Sequence, residues 1–290
     1  MSEGPAPTLG PRPLVLSARV LAGAPRIRHG FSTRAHAGGG SGVAAGVDFD
    51  LRQRAEDPAG STRNRALFTA AMGLAGAPLV TLGQTHEARI FEIDDAAGLP
   101  DEPPSGFDAV ITDVPRIAIA IGTADCLPVL IADPSRGAVG AVHAGWRSAA
   151  LGLPALTVRR MGERYGSRPD ELVVALGPAI GPCCFEVGEE VISGLAARSP
   201  EPERWVVRAA RRKPHVDLAL ATRLALEAEG VRADAIERVA GCTRCDAARF
   251  FSFRREGAAT GRQLSAIGAV EAGTAMGATS PASSASSTSE

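Results

Sequence analysis

The chain has 290 residues, of which 45% are hydrophobic and 22% charged, with a formal net charge of −1. That is enough apolar material for a sizeable core, and near-neutrality removes any bulk electrostatic reason to bind nucleic acid or a membrane surface. No charged segment leads into an apolar one at the start, and no run approaches a membrane span, so a cytoplasmic protein is expected. Five cysteines, an odd number, favour reduced thiols over a disulfide framework.

Residues 1–13, rich in Pro and Gly, and residues 269–290, rich in Gly, Ala, Ser and Thr, carry too little large apolar surface to pack. Both ends are expected to be disordered around a single domain at 14–268, which has no interior linker. Within it, apolar runs at 78–82 and 89–93 flank His86, and strands are predicted at 116–122, 128–132 and 138–142. Asp133-Pro134-Ser135-Arg136-Gly137 makes the turn between the last two. A helix follows over 147–165, with Pro154 in a first-turn position. Further on come a strand at 171–176, helices at 188–197 and 216–229, the second ended by Gly230, and strands at 237–240, 250–254 and 263–267. Strands outnumber helices and do not alternate strictly with them. This favours α+β, with mixed β-sheets flanked by helices, over a doubly wound sheet, and no Gly-x-Gly-x-x-Gly follows a strand.

Three strand ends carry metal-ligating types: His86 in Gln84-Thr85-His86, Cys126 in Thr123-Ala124-Asp125-Cys126, and His143 in His143-Ala144-Gly145-Trp146-Arg147. One thiolate and two imidazoles suit Zn²⁺, and three protein ligands leave a fourth position open. Cys126 has a blander reading as a small buried apolar residue. Asp125 needs a partner at a strand end; it orients a metal-bound imidazole, acts as a general acid/base, or caps the turn. Arg147, beside Ala144-Gly145 at a helix start, combines a guanidinium with free N–H groups and suits phosphate, unless it is a surface charge. Arg34, next to a glycine loop at 38–42, is a second phosphate or ribose candidate. Cys183-Cys184 reads as packing at a turn. Cys242-Thr243-Arg244-Cys245 lacks a second pair for a zinc ribbon and reads as structural or incidental. His36 and His215 read as solvated, and His29 as lying near the pocket.

Together with His29-Gly30-Phe31-Ser32-Thr33-Arg34, Gly177-Pro178-Ala179-Ile180-Gly181-Pro182-Cys183-Cys184-Phe185-Glu186-Val187 and Phe251-Ser252-Phe253-Arg254-Arg255, these motifs resemble the YfiH-type laccase-domain family, known as purine nucleoside phosphorylases or polyphenol oxidases. The resemblance runs from about residue 27 to residue 268. It implies an α/β/β/α sandwich and makes His86, Cys126 and His143 the ligands of Zn²⁺, with Cu²⁺ as the other candidate. It also implies phosphorolysis of adenosine, inosine and S-methyl-5′-thioadenosine, with adenosine deaminase activity, so purine nucleosides and phosphate are the expected partners. The chain departs from the family in Glu87, where a glycine is usual, and in the stretch 47–51, where an Asn-Leu-Gly is replaced.

Three rival readings accompany it. A multicopper oxidase needs more imidazoles than five histidines supply. A metal-free cysteine hydrolase would use Cys126 with His143 as base, and bacterial relatives are associated with correcting peptidoglycan precursors. A structural zinc module would close the site with Cys242 or Cys245 as fourth ligand.

Overall fold

The computed structural model describes residues 15–34, 49–51, 57–208 and 212–271. The expectations for residues 1–13, His36, the glycine loop and most of the tail fall outside them. The chain enters through β1 (Val15–Leu16), α1 (Arg19–Ala22), β2 (Ile27–Ser32) and α2 (Pro58–Ala71). It continues through β3 (Leu79–Val80), β4 (Ile90–Ile93), β5 (Ala109–Thr112), β6 (Ala118–Thr123), β7 (Leu127–Asp133) and β8 (Ala138–Ala144). Next come α3 (Trp146–Ala150), α4 (Leu153–Tyr165), β9 (Val173–Leu176), α5 (Glu189–Ala196), α6 (Pro202–Trp205) and the short pair β10 (Val206–Val207) and β11 (His215–Val216). The chain finishes with α7 (Leu218–Ala228), β12 (Ile236–Arg238), α8 (Phe253–Glu256) and β13 (Gln263–Ala269).

Two mixed sheets result, one in the order β1-β2-β13-β6-β3 and one in the order β12-β9-β7-β8-β5-β4. Alternation along the strands sets the layers. Phe31, Ile119, Ile121 and Ile267 of the first sheet meet Val110, Leu130, Val139 and Ala141 of the second between the sheets. The opposite faces carry Ala118, Ala120, Leu264 and Ala266 against Phe68 of α2 and Met72 just beyond its end, and Ile111, Val129, Ile131 and Val142 against α4, α5 and α7. The architecture is therefore the expected α/β/β/α sandwich. All seven residues of β7 and of β8 are buried, because both faces are covered.

The hairpin β7–β8 brings distant residues together. Asp133 accepts from Ser135 N (3.0 Å), Ser135 Oγ (2.7 Å) and Arg136 N (3.0 Å), and Gly137 takes φ +77°, closing the predicted turn. The register then sets Pro128 opposite His143 and Leu127 opposite Ala144.

Other predictions need correction. The helix expected over 147–165 is two helices, because Gly152 adopts φ +84° between them and Pro154 lies in the first turn of α4. Residues 250–254 form no strand. The Ser252 hydroxyl accepts from Arg255 N (3.2 Å) and caps α8, so the alternating phenylalanines there lie in a loop and a short helix. Packing continues past residue 268, with Ala269 in β13 and Val270 buried. His215 is half-buried in β11 and not solvated. Among the described residues no helix is long and apolar enough to cross a membrane.

Candidate metal centre

Strand direction gathers the donors at one end of the six-stranded sheet. β4 runs parallel to β5, β5 antiparallel to β8, and β7 antiparallel to β8 and β9. The residues just before β4, β5 and β7 therefore share an end with the last residues of β8. His86, Asp108, Cys126 and His143 occupy those positions, and the ligand atoms of His86, Cys126 and His143 all lie within 4.8 Å of one another. The two imidazole centroids are 4.7 Å apart.

Each ligand is held by a specific device. Gln84 Nε2 donates to Gly122 O (2.9 Å), and Gly122 N donates to Gln84 Oε1 (2.8 Å), which fastens the His86 loop to β6 as a strand neighbour would. His86 itself has φ +64° and Asp125 φ +90°, both in the left-handed region that side chains avoid. Gly145 lets the chain after His143 approach. A Cβ there would lie 2.8 Å from His86 Nδ1 and 3.3 Å from Cys126 Sγ.

Asp108, fully buried, is the residue that sequence reasoning missed. Its Oδ1 lies 2.7 Å from His143 Nδ1 and accepts from His86 N (3.0 Å), while Oδ2 accepts from Thr85 N (3.1 Å) and Glu87 N (2.7 Å). One carboxylate thus fixes the loop carrying one imidazole and the ring of the other, leaving His143 Nε2 for a metal. Burial pushes the Asp108 carboxyl up, but its bonds to His143 and to the Glu87 and His86 amides hold it below the usual carboxylate range. Burial pushes His143 down; hydrogen bonds to Asp108 and Cys126 outweigh that and raise it to about 9. Burial and the neighbouring His143 lower His86.

Asp125 does not take the imidazole-orienting role. Its Oδ1 accepts from Thr243 Oγ1 (2.6 Å), its Oδ2 from Ser252 Oγ (3.0 Å) and Arg254 N (2.6 Å), so it ties the Cys126 loop to the C-terminal part of the chain. Glu87 is exposed and contributes its amide to Asp108.

The three ligands lie on the wall of a cavity of about 730 Å³, within the size range of small-molecule sites. Leu82, Trp146, Ile180, Phe185, Phe253 and Leu264 supply apolar wall, and Arg65, Arg147, Arg254 and Arg262 supply guanidinium groups. Arg147 is exposed and stacks over the Trp146 ring at 4.4 Å. Arg34 is not among the lining residues: it pairs with Glu256 Oε1 (2.5 Å) and lies over Phe251. His29 is also elsewhere, buried on β2 and accepting from Ala18 N (2.8 Å). Cys242 and Cys245 belong to a separate group with Cys183 and Cys184 and so do not supply a fourth ligand to the triad.

The fold and sequence belong to one protein class: the family described as "Multi-copper polyphenol oxidoreductase laccase" matches residues 28–270, and the chain belongs to it. Among its relatives is the purine nucleoside phosphorylase of Deinococcus radiodurans, 38% identical over 243 residues covering 83% of this chain and 89% of that protein. Adenosine deaminase RL5, from an unknown prokaryotic organism, is 37% identical over 195 residues, 65% of this chain and 74% of its own. The crystal structure of YlmD from Geobacillus stearothermophilus superposes with a TM-score of 0.76 at 31% identity, covering 88% of this chain and 94% of that one.

Proposed function

We propose that the chain is a zinc-dependent purine nucleoside phosphorylase, converting adenosine, inosine or S-methyl-5′-thioadenosine and phosphate to free base and pentose 1-phosphate, with adenosine deaminase activity at the same site. The observation that carries this reading is the convergence of His86, Cys126 and His143 on the wall of a nucleoside-sized cavity that also holds guanidinium groups. The printed names of the Deinococcus and RL5 relatives point the same way.

The donor set fits zinc: two borderline imidazoles, one soft thiol and a carboxylate behind one ring. Zinc held there supplies Lewis acidity and makes hydroxide available near neutral pH. In phosphorolysis, a phosphate oxygen bonds to C1′ as the C1′–N9 bond breaks, and the base leaves with a proton. Arg147, held over Trp146, is the cation we assign to phosphate, with Arg254 also lining the cavity. Arg34 is a weaker assignment because Glu256 already engages it. Phe185 and Trp146 offer apolar faces to the base. In deamination water adds at C6 and ammonia leaves, and no phosphate is needed.

The same donors suit Cu²⁺, whose intrinsic affinity for such sites exceeds that of zinc, so metal analysis of the purified protein decides between the ions. The test of activity is a panel of nucleosides with and without phosphate. Base release that requires phosphate, with adenosine deamination that does not, is the expected pattern; base release at an unchanged rate without phosphate makes the protein a hydrolase. Arg147→Lys keeps the charge and loses the planar fork. It should lower phosphorolysis about ten- to a hundredfold and deamination less. Equal losses in both remove Arg147 from the phosphate site.

A further inference from the structure

Four of the five cysteines lie outside the site just described, in one place. Cys183 and Cys184 sit on the turn that follows β9, and Cys242 and Cys245 on the turn that follows β12. Because β9 and β12 are parallel neighbours, both turns leave the same end of the sheet. The four sulfur atoms lie within 4.8 Å of one another. Cys245 Sγ is 3.3 Å from Cys184 Sγ and 3.6 Å from Cys183 Sγ, in contact with two partners at once, as a vertex of a four-sulfur group is and half of a disulfide is not. With Zn–S near 2.3 Å, sulfurs around tetrahedral zinc are separated by about 3.8 Å, and the two spacings at Cys245, 3.3 and 3.6 Å, lie slightly below that value.

We propose that Cys183, Cys184, Cys242 and Cys245 form a second metal site, a closed tetrathiolate that takes zinc. Binding releases the thiol protons and forms four Zn–S bonds with no change of oxidation state, leaving a net charge of −2. The surroundings accommodate that charge. Gly181 N donates to Cys242 Sγ (3.3 Å), and the Arg244 guanidinium reaches Cys184 Sγ (3.5 Å).

The site has a mechanical role. Thr243 lies inside the Cys242–Cys245 turn and donates to Asp125, the residue before Cys126; Ile180 N, on the other turn, donates to Asp125 O (2.9 Å). A zinc clip across the two turns therefore holds the loop that presents Cys126 to the first site.

Zinc content distinguishes the two sites. The wild-type chain should carry two zinc ions. Cys126→Ala should keep one, Cys183→Ser/Cys245→Ser should keep one, and the triple variant none. Cobalt(II) titration of Cys126→Ala should give the intense visible bands of tetrahedral cobalt with thiolate charge transfer, abolished by Cys245→Ser in that background. The Cys126→Ala measurements leave the tetrad untouched, so they stand even if the serine variants fold poorly. A metal-free Cys126→Ala protein overturns the proposal, as does a non-reducing mass that has lost the hydrogens of one or two disulfides across these four cysteines.

Discussion

His86, Cys126 and His143 stand at strand ends in the body of a sheet, bordering a cavity; Cys183, Cys184, Cys242 and Cys245 stand on two turns at the same end of that sheet, with Cys183 and Cys245 exposed. The first group has three donors of mixed type, a carboxylate orienting one of them and room beside them. The second has four donors of one type that can satisfy an ion by themselves. Coordination chemistry assigns different work to the two, since an open position admits water or substrate and a saturated one contributes folding energy. Asp125 joins them through Thr243, so the stiffness of the closed group bears on the open one.

The sharpest break between the regions is Cys126→Ala. It should reduce turnover by at least about a hundredfold by removing Lewis-acid chemistry worth several kcal/mol, while the melting temperature changes little. Activity measured alongside zinc content checks it; full activity would remove the triad from catalysis. Next in size is a histidine that belongs to neither group. Burial, opposed by the charge of Glu237, lowers His29 from 6.5 to about 4. Between those values the unfolded chain binds the proton and the folded chain does not, so stability falls as pH falls, by about 3 kcal/mol in all. Denaturant unfolding at pH 7 and pH 4 should therefore show a larger acid loss for wild type than for His29→Gln, and equal losses would refute the assignment.

Asp108→Asn places an amide where one carboxylate serves His143 and three backbone N–H groups. Zinc affinity at the triad should drop about ten- to a hundredfold with tetrad zinc retained; chelator competition on the Cys183→Ser/Cys245→Ser protein isolates the effect. The smallest change is Gly145→Ala. The added methyl presses on His86, which is exposed and can give way, so about a tenfold loss of triad affinity is expected, the low end of overpacking costs. Unaltered affinity would mean that the close approach of Gly145 is not needed.

His86, Cys126 and His143 stood out because each follows or ends an apolar run, but their spacing alone is a weak signal, and the family resemblance is what made them a ligand set; the structure brings their donor atoms together. The sandwich itself came from the family resemblance. Asp108 was not legible: a lone aspartate before Ala109–Thr112 looks like a turn residue until the register sets it beside His143. Its one signal was a charged residue at the mouth of a strand buried throughout. The cysteine tetrad escaped notice because its halves lie about sixty residues apart and one half is vicinal, a spacing that no ribbon uses. Helix α2 lacks a strong apolar stripe, having only Gly60, Ser61, Phe68 and Thr69 buried, so its periodicity was faint. The strand misread at 250–254 failed because Ser252 is engaged by Asp125 and caps a helix.

The place of β13 bears on how the protein is made. This last strand lies in the middle of its sheet, between β2 and β6, which precede it by more than a hundred residues. On the ribosome, β2 and β6 must wait with open edges until the chain has been synthesised through Ala269, and open edges invite pairing with other chains. The six-stranded sheet is complete by Arg238 and both cysteine turns by Cys245. The two candidate donor sets can therefore assemble on a finished sheet while the opposite wall of the sandwich is still missing. A message truncated before Gln263 would yield a chain with its donor sets intact and an open edge on each of β2 and β6, a product for the quality-control proteases.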